Sequence, residues 1–140
     1  MIRNCDIDIE LHSVVKGIVD ELEAAVAGTL YKTDDGEFEV IGDLDDWHEH
    51  VDDGEDDPEQ ASVSDVIEKR GLGDTRFEVD SKMELCGGKT LFAFGGPNIW
   101  VHDDRVCGYW GTARVEMSFN SETRSAMFDW FEEFWEAVKA

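Results

Sequence analysis

From Thr33 to Glu68 the chain has no lysine and no arginine. Over all 140 residues there are 12 of them against 34 aspartates and glutamates, a formal net charge of −22. That shortage argues against direct binding to nucleic-acid phosphates, which needs a basic patch, and against attraction to an anionic membrane. No stretch is apolar for long enough to span a bilayer, and no apolar run follows Met1 as a signal peptide requires. Cysteine is scarce. Cys5, Cys86 and Cys107 are odd in number and widely spaced, so they form no disulfide framework and are expected to be reduced, buried or half-buried thiols of a cytoplasmic protein.

What the same region does contain is carboxylate. Nine aspartates and five glutamates lie between Asp34 and Glu59, and Asp65 and Glu68 bring the total to sixteen. Phe38, Val40, Ile41, Leu44, Trp47 and Val51 are threaded among them, whereas a purely solvating acidic tract has few such anchors. Held against a folded body, these charges form a fixed negative field, suited to occupying a surface built for a polyanion. Eight Phe, five Trp and two Tyr supply large burying surfaces. The expectation is therefore a single domain over 1–140 with an acidic insert at about 42–60.

The pattern along the chain changes period several times. Residues 3–10 alternate, with Asp6, Asp8 and Glu10 opposed to Ile7 and Ile9, and predict a strand or extended lead-in. Leu11, Val14, Val15, Ile18, Val19, Leu22, Ala25 and Val26 recur at helical spacing and predict a helix to about Ala27, stopped by Gly28. Asp34-Asp35-Gly36 between TLYKT and EFEVI predicts a hairpin. A short helix is expected over 64–70, started by Ser64 and Asp65. RFEVD (76–80), TLFAF (90–94), NIWVH (98–102), VCGYWG (106–111) and TARVEMSF (112–119) read as strands, with a turn at CGG (86–88) and a polar hairpin tip at His102-Asp103-Asp104-Arg105. In the last strand Ala113, Val115, Met117 and Phe119 should face inward. From Ser121 to Ala137, Met127, Trp130, Phe131, Phe134, Trp135 and Val138 make a wide stripe opposite Glu122, Asp129, Glu132, Glu133 and Glu136. The predicted architecture is α+β, with two helices packed on one face of an antiparallel sheet of about five strands.

Residues 95–111, GGPNIWVHDDRVCGYWG, followed by an alternating strand and an aromatic C-terminal helix, resemble a group of short acidic proteins of bacterial prophages and conjugative elements. In that group GGPNIWV, a hairpin and GYWG recur. The similarity runs from Val66 onward; the first half matches only in being acidic. It implies a mobile-element setting and assigns no catalytic residue. Small acidic proteins of that setting are similar in behaviour to DNA-mimicking inhibitors of restriction or CRISPR systems, an analogy of charge and context.

Several constellations carry chemistry in other proteins. His48 and His50 in WHEHVDD would point the same way from an extended segment, as zinc or nickel ligands do, but no third ligand of metal-site spacing completes them. The aspartates of 43–56 break the spacing of an EF-hand loop. His102-Asp103-Asp104 reads as an Asp-rich turn, and Cys86 and Cys107 as buried structural thiols with no basic neighbour in sequence to activate them. Gly95-Gly96-Pro97-Asn98 lacks the ending of a phosphate loop and leads into a strand. Trp100, Tyr109 and Trp110 straddle one hairpin and cannot all face the helices, so some belong to a second core or an interface.

The leading expectation is a non-enzymatic inhibitor without cofactor or metal, acting in the host cytoplasm. Its partner would be a basic nucleic-acid-binding host protein, a defence nuclease complex of the kind that anti-CRISPR and antirestriction proteins block. Asp45, Asp46, Glu49, Asp52, Asp53, Glu55, Asp56 and Asp57 would contact the lysines and arginines of its groove. The alternatives are a salt-adapted structural or adaptor protein, and a small metal-binding protein using His48 and His50.

Overall fold

The computed structural model describes residues 4–33, 36–42, 58–70, 72–93 and 98–139. Their elements are α1 (Asn4–Ala27), β1 (Leu30–Lys32), β2 (Phe38–Val40), α2 (Val63–Arg70), β3 (Leu72–Val79), β4 (Leu85–Ala93), β5 (Asn98–His102), β6 (Arg105–Trp110), β7 (Ala113–Ser118) and α3 (Ser121–Lys139). The class is α+β.

α1 begins at Asn4, so the strand or extended lead-in predicted for 3–10 gives way to helix. Ile7, part of the short alternation, also stands four residues before Leu11 and extends the helical period backward. A helix already nucleated gains a hydrogen bond per added residue, while a terminal strand needs an edge to pair with. Leu11, Val15, Ile18, Val19 and Leu22 are buried. Gly28, at φ 79°, ends the helix. Its N–H donates to Ala25 O at 3.2 Å and that of Thr29 to Ala24 O at 3.0 Å, the double closure of a Schellman motif.

β1 and β2 form the expected hairpin, Leu30 opposite Val40, with Gly36 at φ 83° in the turn. The Ile41 N–H extends it by donating to Thr29 O at 2.8 Å. The chain then returns to the other edge of β1, where Lys32 N donates to Glu59 O and Ala61 N to Leu30 O, both at 2.8 Å. β1 therefore fastens both Ile41 and Glu59–Ala61. Ser62 caps α2, two residues ahead of the predicted start at Ser64: its Oγ accepts from Asp65 N at 3.2 Å, and Asp65 Oδ2 accepts from Ser62 N at 2.8 Å. This reciprocal box satisfies two amides at the helix start.

The main sheet is an antiparallel meander in the order β3-β4-β5-β6-β7. The turn predicted at CGG (86–88) is instead the interior of β4. The reversal lies at 80–84, where Asp80 Oδ1 accepts from Lys82 N at 2.8 Å and Glu84 N at 2.9 Å. The glycines serve packing. A Cβ on Gly88 would stand 2.6 Å from the Phe131 ring, and one on Gly108 would stand 2.7 Å from both Leu11 and Val15. Strand register puts Phe77, Gly88, Thr90, Phe92, Ile99, Val101, Val106, Gly108, Val115 and Met117 on one face. That face receives Phe131 of α3 at Gly88 and Leu11 and Val15 of α1 at Gly108.

Asn120 caps α3 by accepting Thr123 N at 2.8 Å. Met127 and Phe131 are fully buried, while Trp130, Phe134 and Trp135 are half-buried and Val138 is 57% exposed. The predicted stripe is thus wider than the surface that covers it, and Val138 lies beyond the covered part.

Gly88 and Phe131 should behave as a coupled pair. Gly88→Ala is expected to destabilise by about 1–3 kcal/mol through overpacking, and Phe131→Ala by about 3–5 kcal/mol through cavity formation. In the Phe131→Ala background the Gly88→Ala cost should fall below about 0.5 kcal/mol, because the ring it meets is gone. A urea double-mutant cycle checks this.

Candidate functional site

All eight acidic contact residues expected from sequence lie in 43–57, together with His48 and His50, outside the described residues. What is described is where that segment leaves and re-enters: Gly42 follows the β1–β2 hairpin and Pro58 precedes the residues bound to the opposite edge of β1. The described residues on both sides of the segment that holds the nine carboxylates from Asp43 to Asp57 are therefore fastened at one strand.

The open face of the main sheet has a different chemistry. Register places Arg76, Lys89, His102 and Arg105 along one row of it, and Trp100 and Tyr109 in the rows behind. Lys89 Nζ lies 4.7 Å from the Trp100 ring centroid and the Arg76 guanidinium 5.2 Å; the Arg114 guanidinium lies 5.6 Å from Tyr109. Trp110 packs with the helices on the other face, so the three aromatics divide between the two sides as their spacing requires. Carboxylates pair with the arginines of this face, while Lys89 rests on the Trp100 ring. Arg105 pairs with Asp104 and Glu116 at 2.8 Å each, Arg114 with Glu116 and Arg76 with Asp74 at 3.2 Å each. This arrangement binds the sheet's own side chains together rather than presenting a net positive field, as nucleic-acid binding would need.

The remaining reactive candidates resolve into structure. Asp103 Oδ1 accepts from Gly88 N and Asp103 N donates to Gly88 O, both at 3.1 Å, so the HDD tip staples β4 to the β5–β6 hairpin. Cys107 is buried and its thiol donates to Glu116 at 3.3 Å. Burial, then this hydrogen bond, pushes the thiol above its ordinary range despite nearby Arg105, opposite to what a nucleophile needs. Cys86, expected to be buried, is exposed. The register break at Glu78/Val79 gives the inward place to Leu85 and turns its neighbour out. Among the described residues no group of three or more His, Cys, Asp or Glu could hold a metal ion. Among them, too, no helix is long and apolar enough to cross a membrane.

Among the described residues, two concavities flank α3. One, of about 460 Å³, is lined at its β3–β4 turn end by Met83 and Leu85, with Lys82 and Lys139 among Glu84, Glu132 and Glu136. The other, of about 320 Å³, lies between α2 and α3 and is lined by Ser64, Glu68, Trp130, Glu133, Phe134 and Ala137. Trp130 and Phe134 stack there with centroids 5.6 Å apart and planes at 22°. Sequence reasoning placed both rings in the core. The signal against that was the width of the aromatic stripe, more than one sheet contact can cover.

No protein family, curated protein or solved structure matches the chain.

His102 supplies a titration that checks the sheet row. Burial, then the charges of Arg105 and Lys89, lowers its pKa below the ordinary 6.5, outweighing Asp104 and Asp103. A lowered folded-state pKa means that the unfolded chain binds the proton more readily. The His102 contribution is fully present above pH 6.5 and is lost as pH falls from there through the folded value. NMR titration should find the His102 midpoint below 6.5, and His102→Gln should flatten the acid-side fall in stability just under that pH.

Proposed function

We propose that this chain is a non-enzymatic, acidic inhibitor of mobile-element origin that occupies the basic DNA- or RNA-binding groove of a host defence protein, of anti-CRISPR or antirestriction type. The observation that carries the reading is uncompensated carboxylate. Glu122, Asp129, Glu132 and Glu133 on the outer side of α3 are exposed and have no ion pair among the described residues. With Glu136, which pairs with Lys139, the run 129, 132, 133, 136 spans seven residue steps of helix. At 1.5 Å per residue that is about one carboxylate per 3.5 Å, close to the ~3.4 Å per phosphate along one strand of B-DNA.

The segment 43–57 holds nine further carboxylates in sequence, and the described residues on both sides of it are fastened at β1. Inhibition is competition: Asp45, Asp46, Glu49, Asp52, Asp53, Glu55, Asp56 and Asp57 take the places of phosphates at lysine and arginine side chains, and the excess charge steers the encounter. No cofactor or metal takes part, and the setting is the host cytoplasm.

Changing Asp45, Asp46, Asp52, Asp53, Asp56 and Asp57 to Asn removes six charges at nearly constant size. Immobilised wild-type protein should capture a nucleic-acid-binding protein from host lysate, less of it as salt rises. The Asn variant should capture at least tenfold less, mainly through slower association. Equal capture by both removes the segment as the contact. Absence of any partner, with the Asn variant losing solubility in concentrated salt, supports the salt-adapted reading instead.

A further inference from the structure

We propose that the groove between α2 and α3 is a docking site for a short amphipathic helix carrying lysine or arginine beside its apolar face, a second contact for the basic partner. This rests on the inhibitor reading for the partner's identity but on its own geometry for the site. The floor is apolar: Trp130 and Phe134, stacked flat, with Ala137 at one end. Trp130 is held edge-on by buried Phe131, ring centroids 4.9 Å apart, so the floor is preformed.

The walls are acidic for a specific reason. α2 carries four charged residues, and three are engaged elsewhere. Asp65 caps the helix and meets Lys32 at 3.4 Å, Lys69 pairs with Glu37 and lies over the Phe38 ring, and Arg70 meets Glu21 at 3.2 Å. Both cations of α2 are thus tied to residues outside the groove, which leaves Glu68 on its wall with no ion pair among the described residues. Glu133, on the α3 wall, has none among them either. The neighbouring concavity under Trp135 differs in this respect, since its lining also carries two lysines, Lys82 and Lys139, the latter paired with Glu136.

An apolar floor between two unneutralised carboxylates complements apolar anchors flanked by cations. From Trp130 to Ala137 the floor follows seven residue steps of α3, about 10 Å. That accommodates two turns of a ligand helix, with anchors at i, i+3 or i+4 and i+7 on Trp130 and Phe134 and ammonium or guanidinium groups at Glu68 and Glu133.

The probe is a 14-residue Leu/Lys peptide with leucines at i, i+3, i+4 and i+7, beside a scrambled peptide of the same composition with no apolar face. Binding is followed by NMR, with the Trp130 indole signal identified from Trp130→Phe. The patterned peptide should shift that signal and bind at least tenfold more tightly than the scrambled one. Glu68→Gln with Glu133→Gln, both exposed and so neutral for folding, should lower its affinity about tenfold.

Equal binding of the two peptides, shifts confined to the β5–β7 face, or unchanged affinity of the double variant overturns the site. The same double variant separates this from the inhibitor reading. If wild-type and variant capture a basic host protein equally, the groove inference fails and the inhibitor reading stands. If the patterned peptide binds the groove but no nucleic-acid-binding protein is captured, the site stands and the inhibitor reading fails.

Discussion

An excess of negative charge is the constraint under which every other feature of this fold operates. With 34 carboxylates and 12 lysines and arginines, self-repulsion opposes compaction, and each cation matters more than it would in a balanced protein. Three of the cations sit at joints between elements. Arg70 ties α2 to Glu21 of α1, Lys69 ties α2 to the β1–β2 turn at Glu37, and Lys32 gathers Glu59 and Asp65 around β1. On the sheet, Arg105 and Arg114 share Glu116. Exposed pairs of this kind contribute only about 0–1 kcal/mol each. Their value lies in where they act: between elements that would otherwise present carboxylate to carboxylate.

Cohesion comes from the apolar side of the sheet. Two glycines let the helices approach closely, Gly88 under Phe131 and Gly108 under Leu11 and Val15. Burial on that side leaves the charged residues no place but the surface, and the cations' engagement at the joints leaves one part of that surface without neutralisation. Along α3, Glu122, Asp129, Glu132 and Glu133, and at the α2–α3 groove Glu68, have no ion pair among the described residues, while Glu136 meets Lys139. The described residues on both sides of the acidic segment are fastened at β1, whose two edges hold Ile41 and Glu59–Ala61. The proposed function follows from that division between neutralised joints and unneutralised outer faces.

Much of the fold was legible because its strands alternate cleanly. β5, β6 and β7 fall where the alternation puts them, and inward Val115 and Met117 opposite outward Arg114 and Glu116 follow from period two alone. Two misreadings have one cause: local pattern was taken where long-range packing decided. Residues 4–10 alternate over too short a span to outweigh the helix that continues from Leu11, and CGG looks like a turn until Phe131, forty-three residues after Gly88, is seen to need the space. The groove was illegible for the same reason. Glu68 and Glu133 are far apart in the chain, and nothing local says that α2's cations turn to Glu37 and Glu21 and leave Glu68 uncompensated.

The central claim is that protein carboxylate and nucleic-acid phosphate contend for one surface. Its most direct measurement is competition at equilibrium: binding of the chain to a purified partner nuclease, followed at fixed ionic strength while duplex DNA or guide-paired target is added in increasing amounts. The account predicts an apparent dissociation constant that rises in proportion to nucleic-acid concentration, with no species holding both ligands. A stable ternary complex of nuclease, nucleic acid and this chain, its affinity unchanged across the titration, would contradict it.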